Sequence, residues 1–319
     1  MRRPAPDGGA LLFGRGYAIM MAIYWQDPPP QRPLAGEGGG GSTPFQHRSL
    51  LKGGVFVQRI PDRVVIKVGT STLTYSTGHL NIRRIEALVE AISDIKNSGK
   101  QVILVSSGAI GVGMSKLQMR DRPTDIPSKQ AAAAVGQCEL MYMYDKRFSV
   151  YNHVVSQVLL TRDIIDQDER RHNARNTLNR LLELDVIPII NENDTISTDE
   201  IKFGDNDALS AMVGELVGAD KLIIMSDIDG LFDKDPRQDP TARIIRRVEK
   251  IDEQVRAMAG GAGSRRGTGG MITKIHAAEI FTATGGDMVI INGDNPRLLY
   301  DVFDGKPVGT TFVGQEGEK

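Results

Sequence analysis

From Arg63 onward, short apolar runs alternate with longer stretches whose apolar residues recur every three or four positions. RVVIKV (63–68), QVILVS (101–106), VVSQVLL (154–160), DVIPIIN (185–191), KLIIMS (221–226) and MVIIN (288–292) are too short for helices and too apolar for loops. Such runs read as strands buried on both faces. Between them, NIRRIEALVEAISDIKNSG carries Ile82, Ile85, Leu88, Val89, Ile92 and Ile95 at helical spacing, with Gly99 as a C-terminal stop. SKQAAAAVGQCELMYMYDKRF, NARNTLNRLLEL, DALSAMVGELVGA, EQVRAMA and MITKIHAAEIFTAT read as further helices, and a short helix and strand close the pattern. The alternation predicts an α/β fold with a mostly parallel central sheet sandwiched by helices. No internal repeat divides it. The expected folded unit spans 62–315, with 316–319 as a tail.

The first 60 residues are different in kind. They hold seven of the 15 prolines and 11 of the 35 glycines, and the run PPPQRPLAGEGGGGSTP offers little to bury. Such a composition cannot offset its ordering entropy, so residues 1–61 are expected to be a disordered, dispensable extension. Met20 and Met21 stand as later candidate starts. The apolar run YAIMMAIYW is far below the roughly 20 residues a bilayer span needs, and no longer one occurs.

Global composition excludes several classes. Acidic and basic residues nearly cancel, 40 against 39, so charge advertises neither nucleic acid nor an anionic membrane as partner. One cysteine, Cys138, rules out an internal disulfide and fits a reducing, cytoplasmic setting. It is expected to be a small buried side chain. The five histidines show no metal-ligand spacing, and neither G-x-S-x-G nor H-E-x-x-H occurs. No metal-binding side chains are assigned.

In open parallel sheets ligands bind beyond the carboxyl ends of the strands. After the first strand comes GTST (69–72), and inside that strand lies Lys67. A lysine in a run buried on both faces is costly unless its ammonium meets an anion at the end of the sheet. After the second strand comes SGAIGVG (107–113), and after the fourth the long Asp- and Asn-rich loop ENDTISTDEIKFGDND (192–207). Loops of that length in a compact domain are commonly functional. DIDGLFDKDPR (227–237) follows the fifth, with glycine and glutamate misplaced for a calcium loop. GSRRGTGGMITK (263–274) is a glycine-rich turn opening into a helix, a common phosphate cradle. It is neither a P-loop nor a dinucleotide fingerprint. Glycine loops, two lysines (Lys67 and Lys274) and an Asp-rich loop on one sheet edge are an inventory for phosphoryl transfer, which needs positioning and positive charge more than covalent chemistry.

In order and spacing, VVIKVGTSTL, VSSGAIGVG, SKQAAAAVGQ, NENDTISTDEIKFGDNDALSA, SDIDGLFDKDPR and GTGGMITK resemble the amino acid kinase family. Within it they are similar to the branch that phosphorylates the γ-carboxylate of L-glutamate with ATP, at the start of proline biosynthesis. The resemblance covers 62–314 and implies roles for individual residues. Lys67 and Lys274 would neutralise the transferring phosphoryl group, and Asp207 would hold and orient them. Ser107, Asp194 and Asn206 would bind glutamate, the aspartate pairing with its ammonium and the asparagine with its carboxylate. Lys67, Ser226, Asp227, Thr268, Gly269, Gly270, Met271, Ile272, Thr273 and Lys274 would contact ATP, the last seven as a mobile lid over its phosphates. Mg2+ is expected with the nucleotide. The family further implies a homo-oligomer and feedback inhibition by proline. A short form is expected, without the C-terminal RNA-binding-like (PUA) domain of many bacterial members.

Three other readings compete. A sister kinase acting on N-acetylglutamate, aspartate or carbamate shares the fold and the paired lysines; a free substrate ammonium, however, calls for a carboxylate such as Asp194. A non-catalytic nucleotide-binding regulator predicts loss of Lys67, Asp207 or Lys274, and all three are present. A dehydrogenase needs G-x-G-x-x-G after the first strand, where GTST stands instead.

Overall fold

The computed structural model describes residues 63–75, 78–161, 167–197, 206–259 and 270–315. The expectations for the extension 1–61 and for Thr268 and Gly269 lie outside them. The elements run β1 (Arg63–Val68), α1 (Thr70–Leu73), α2 (Ile82–Asn97), β2 (Gln101–Ser106), α3 (Ala109–Lys116), α4 (Ile126–Phe148) and β3 (Val155–Leu160). They continue with α5 (Asp168–Glu183), β4 (Ile187–Glu192), α6 (Asn206–Val217), β5 (Lys221–Ser226), β6 (Arg247–Val248) and α7 (Glu253–Ala259). The chain closes with α8 (Met271–Thr282), β7 (Asp287–Asn292), α9 (Leu298–Phe303) and β8 (Thr310–Phe312).

One eight-stranded sheet runs in the order β3-β4-β2-β1-β5-β7-β8-β6. Every pairing is parallel except β7 with β8. β1 is central, with Val68 opposite Ser106 of β2 on one side and Met225 of β5 on the other. The strand ends expected to carry function therefore share one edge of the sheet.

Period-two alternation divides the core in two. Val64, Ile66 and Val68 face a cluster containing Leu88, Ile92, Leu140 and Phe148 from α2 and α4. Val65 faces the opposite cluster, built on Leu209, Val213, Ile275 and Phe281 from α6 and α8. The mostly parallel sheet sandwiched by helices is thus present as expected.

The helix boundaries follow local chemistry. The Asn81 side chain accepts from the Arg84 amide at 3.2 Å and opens α2; Gly99, at φ 94°, ends it in the left-handed conformation. Asp125 accepts from the Ser128 amide at 2.8 Å and opens α4. α3 and α4 pack almost backbone to backbone. A Cβ on Gly113 would lie 1.8 Å from the Ala132 carbonyl oxygen, and one on Gly136 1.8 Å from that of Ala109.

Some features differ from the sequence expectation. The GTST turn is a one-turn helix, α1, closed by the Thr74 amide donating to the Thr70 carbonyl at 2.9 Å. β6 is a two-residue strand that periodicity could not reveal, because its partner β8 lies more than 60 residues away. Cys138 is exposed, not buried. α4 buries the face carrying Ala132, Ala133, Gly136, Leu140, Met143 and Tyr144, and Cys138 falls on the other side.

Candidate active site

Lys67 lies one position after Ile66 on β1, so its side chain leaves the sheet on the Val65 face. α6 and α8 cover that face, and the first turn of each brings a charged residue to the same point. Lys67 Nζ is 2.6 Å from Asp207 Oδ1, and Lys274 Nζ is 3.1 Å from Asp207 Oδ2. The three side chains are 10, 3 and 5% exposed, in the order Lys67, Asp207, Lys274. The carboxylate expected to hold and orient the two lysines thus lies in contact with both. Thr273 Oγ1 lies 2.8 Å from Asp207 Oδ2 and 2.8 Å from the Gly270 carbonyl oxygen.

Burial alone would raise the Asp207 carboxyl. Lys67 and Lys274, with hydrogen bonds from Lys67 and Thr273, more than offset that and hold it well below the usual carboxylate range. An ionised Asp207 between two ammonium groups leaves the cluster at a net +1. The cluster sits at the carboxyl edge beside Gly69, where an added Cβ would lie 3.9 Å from Lys67 Nζ. α8 begins at Gly270 without a side-chain cap, so its first amides and the positive end of its dipole add to the same region.

A second group adjoins the first through the chain itself, since Asn206 precedes Asp207. Asn206 Nδ2 lies 2.9 Å from Ser107 Oγ, 3.2 Å from the Ser106 carbonyl oxygen and 2.9 Å from Asn191 Oδ1. Ser107 is placed by Gly108, whose φ of 98° turns the chain from β2 into α3. Asp194 follows β4 and is buried; among the described residues its Oδ1 has no hydrogen-bond partner. Burial, reinforced by the neighbouring Glu192, pushes its carboxyl up to about 7.

Ser226 ends β5 and lies 3.2 Å from Asp227 Oδ1, while exposed Asp227 pairs with Arg237 at 3.2 Å. Both are on the carboxyl edge but touch neither cluster directly in any contact described. Met271 packs against the α6–α8 core, whereas Ile272 is exposed. The structure therefore brings together Lys67, Asp207, Thr273 and Lys274, and joins Ser107 to Asn206. Asn191 and Gln137 were missed in the sequence. Asn191 Nδ2 donates to Gln137 Oε1 at 3.0 Å, and the only signal was an amide at the end of each of two apolar runs.

A model of the amino acid kinase family matches residues 62–292. The chain belongs to the amino acid kinase family. Within it, glutamate 5-kinases are among the curated relatives it resembles. Identity is 55% over 260 residues with that of Clostridium perfringens, covering 80% of this chain and 97% of the relative. With that of Listeria innocua it is 52% over 260 residues, covering 80% and 94%. The carbamate kinase of Giardia lamblia superposes with a TM-score of 0.56 at 18% identity, covering 80% of this chain and 99% of the other, a likeness of fold alone.

Proposed function

We propose that the chain transfers the γ-phosphoryl group of ATP to the γ-carboxylate of L-glutamate, giving L-glutamyl 5-phosphate, the first step of proline biosynthesis. The observation that carries this reading is the pair of ammonium groups held by Asp207 at the carboxyl edge of the sheet. A phosphoryl group in transfer spreads negative charge over its equatorial oxygens, and two oriented cations with a net surplus of one complement it. One γ-carboxylate oxygen attacks phosphorus, the bond to the β–γ bridging oxygen breaks, and ADP leaves with that electron pair. No general base is required, because the attacking carboxylate is already ionised at neutral pH.

The acceptor would sit between Ser107, Asn206 and Asp194. The unpartnered Asp194 oxygen suits a free ammonium, which favours glutamate over N-acetylglutamate. Gly270, Met271, Ile272, Thr273 and Lys274 would line the phosphate side with Thr268 and Gly269, and Ser226 and Asp227 the nucleotide side. Mg2+ would arrive with ATP. Among the described residues no group of three or more His, Cys, Asp or Glu could hold a metal. The reading includes a homo-oligomer inhibited by proline and a cytoplasmic setting. Among the described residues, no helix is long and apolar enough to cross a membrane.

The test is ADP release by the purified protein with ATP and Mg2+, offering L-glutamate, L-aspartate, N-acetyl-L-glutamate or no acceptor, each with and without proline. Release that requires L-glutamate and falls with proline supports the reading. Release with another acid overturns the acceptor assignment, and none with any acid overturns the enzyme.

A further inference from the structure

Two backbone groups of fixed polarity bracket a row of side-chain amides beneath the acceptor side of the site. At one end the Glu192 N–H donates to Asn191 Oδ1 at 2.9 Å. An N–H only donates, so the Asn191 atom facing it is its oxygen, and the Asn191 nitrogen is turned the other way. That nitrogen donates to Gln137 Oε1, 3.0 Å away on α4. At the other end the Ser106 carbonyl only accepts, so the Asn206 atom 3.2 Å from it is the nitrogen. The same nitrogen is 2.9 Å from Asn191 Oδ1 and 2.9 Å from Ser107 Oγ. An amide nitrogen has no lone pair to offer, so Ser107 Oγ can only accept from it, the two amide hydrogens being shared among the three acceptors. The Ser107 hydrogen is left to point away from the row, and among the described residues it has no acceptor.

Asn191 is 1% exposed, so its nitrogen has no access to bulk water. Without the Gln137 oxygen it would be a buried donor with no partner. The amide cannot rotate to escape, because its nitrogen would then face the Glu192 N–H and the Asn206 nitrogen, both donors. The side chain would instead shift toward another acceptor, drawing its oxygen away from the Asn206 nitrogen.

We propose that Gln137 is a positioning residue for the acceptor: it anchors the Asn191 side chain in place, Asn191 holds Asn206, and Asn206 presents the Ser107 hydroxyl hydrogen to the non-reacting carboxylate of the amino-acid substrate. Asn206 thus reaches that carboxylate through Ser107. This rests on the placement of the acceptor at Ser107 made above.

The experiment compares Gln137→Met, which removes the oxygen at nearly constant volume, with Gln137→Glu, which keeps an oxygen facing Asn191. For Gln137→Met the KM for L-glutamate rises by about five- to tenfold, the loss of roughly one hydrogen bond. Its kcat and its KM for ATP stay within about twofold of wild type, and the melting temperature is little changed. Gln137→Glu restores most of the KM. A Gln137→Met protein that melts earlier but keeps its glutamate KM makes the residue a packing element and overturns the proposal, as does a Gln137→Glu variant no better than Gln137→Met. Ser107→Ala is the control. If it leaves the glutamate KM unchanged, the acceptor placement itself is wrong; if it raises KM while Gln137→Met does not, only the role of Gln137 falls.

Discussion

Asp207 divides its two oxygens between two lysines from different elements, Oδ1 to Lys67 of β1 at 2.6 Å and Oδ2 to Lys274 of α8 at 3.1 Å. The carboxylate fixes where both cations point. It sets one negative charge against their two positive ones, and the proposed phosphoryl transfer draws on that pair of cations.

Lys274→Ala keeps Asp207 paired with Lys67 and should leave the fold intact. Turnover should fall by about two to three orders of magnitude, the loss expected when one donor to a developing charge is removed. Steady-state kinetics with circular dichroism checks it. Turnover within a few-fold of wild type would mean that Lys274 does not touch the transferring group.

Asp207→Asn should behave differently, because it removes the carboxylate that two buried ammonium groups share. Removing one partner from a buried ion cluster costs about 3–5 kcal/mol, so both stability and activity should fall. Urea denaturation decides the matter. An unchanged midpoint would show that the lysines find other partners and that Asp207 is not their anchor.

The raised Asp194 carboxyl makes both stability and acceptor binding depend on pH. Pushed up to about 7 by burial and then by Glu192, it holds a proton in the unliganded fold at pH values where the unfolded chain has lost it. This group's contribution to stability is therefore present at low pH and is lost as pH rises through about 7. Binding an ammonium needs the ionised form, so KM for L-glutamate should fall between pH 6 and pH 8. Asp194→Asn should flatten that profile and raise KM by about tenfold or more, as for loss of a charged hydrogen bond. A profile with the same slope in wild type and variant would place the titrating group elsewhere.

Much of this was legible in the chain, for identifiable reasons. Apolar period is a local property, so RVVIKV and QVILVS gave strands at the observed boundaries. The cost of burying an ammonium made Lys67 conspicuous inside its run, although its counter-ion, Asp207, lies 140 positions away and no local pattern marks the contact. Pairings are non-local too, and nothing in TTF says that β8 runs against β7. The Gln137–Asn191–Asn206 row is hidden for the same reason, since its members come from three elements and each looks like an isolated polar residue. Cys138 was misplaced because α4 is apolar on both faces, so hydrophobicity did not say which one is covered.

Close packing of α3 on α4 gives a further test. α3 begins just after Ser107, and its distance from α4 is set by glycines. Gly136→Ala would put a methyl group 1.8 Å from the Ala109 carbonyl oxygen, which neither backbone can yield without separating the helices. A loss of about 3 kcal/mol is expected, at the upper end for overpacking, together with a raised KM for L-glutamate as Ser107 shifts. A variant as stable as wild type would show that the two helices can slide apart at little cost.

Transfer to the γ-carboxylate is tested most directly by running the reaction in hydroxylamine, which traps acyl phosphates as hydroxamates, and identifying the product by mass spectrometry and comparison with both isomers. The expected product is the γ-glutamyl hydroxamate, formed in step with ADP and lost in Lys274→Ala. ADP release without hydroxamate, or a hydroxamate on any other carboxylate, would contradict that transfer.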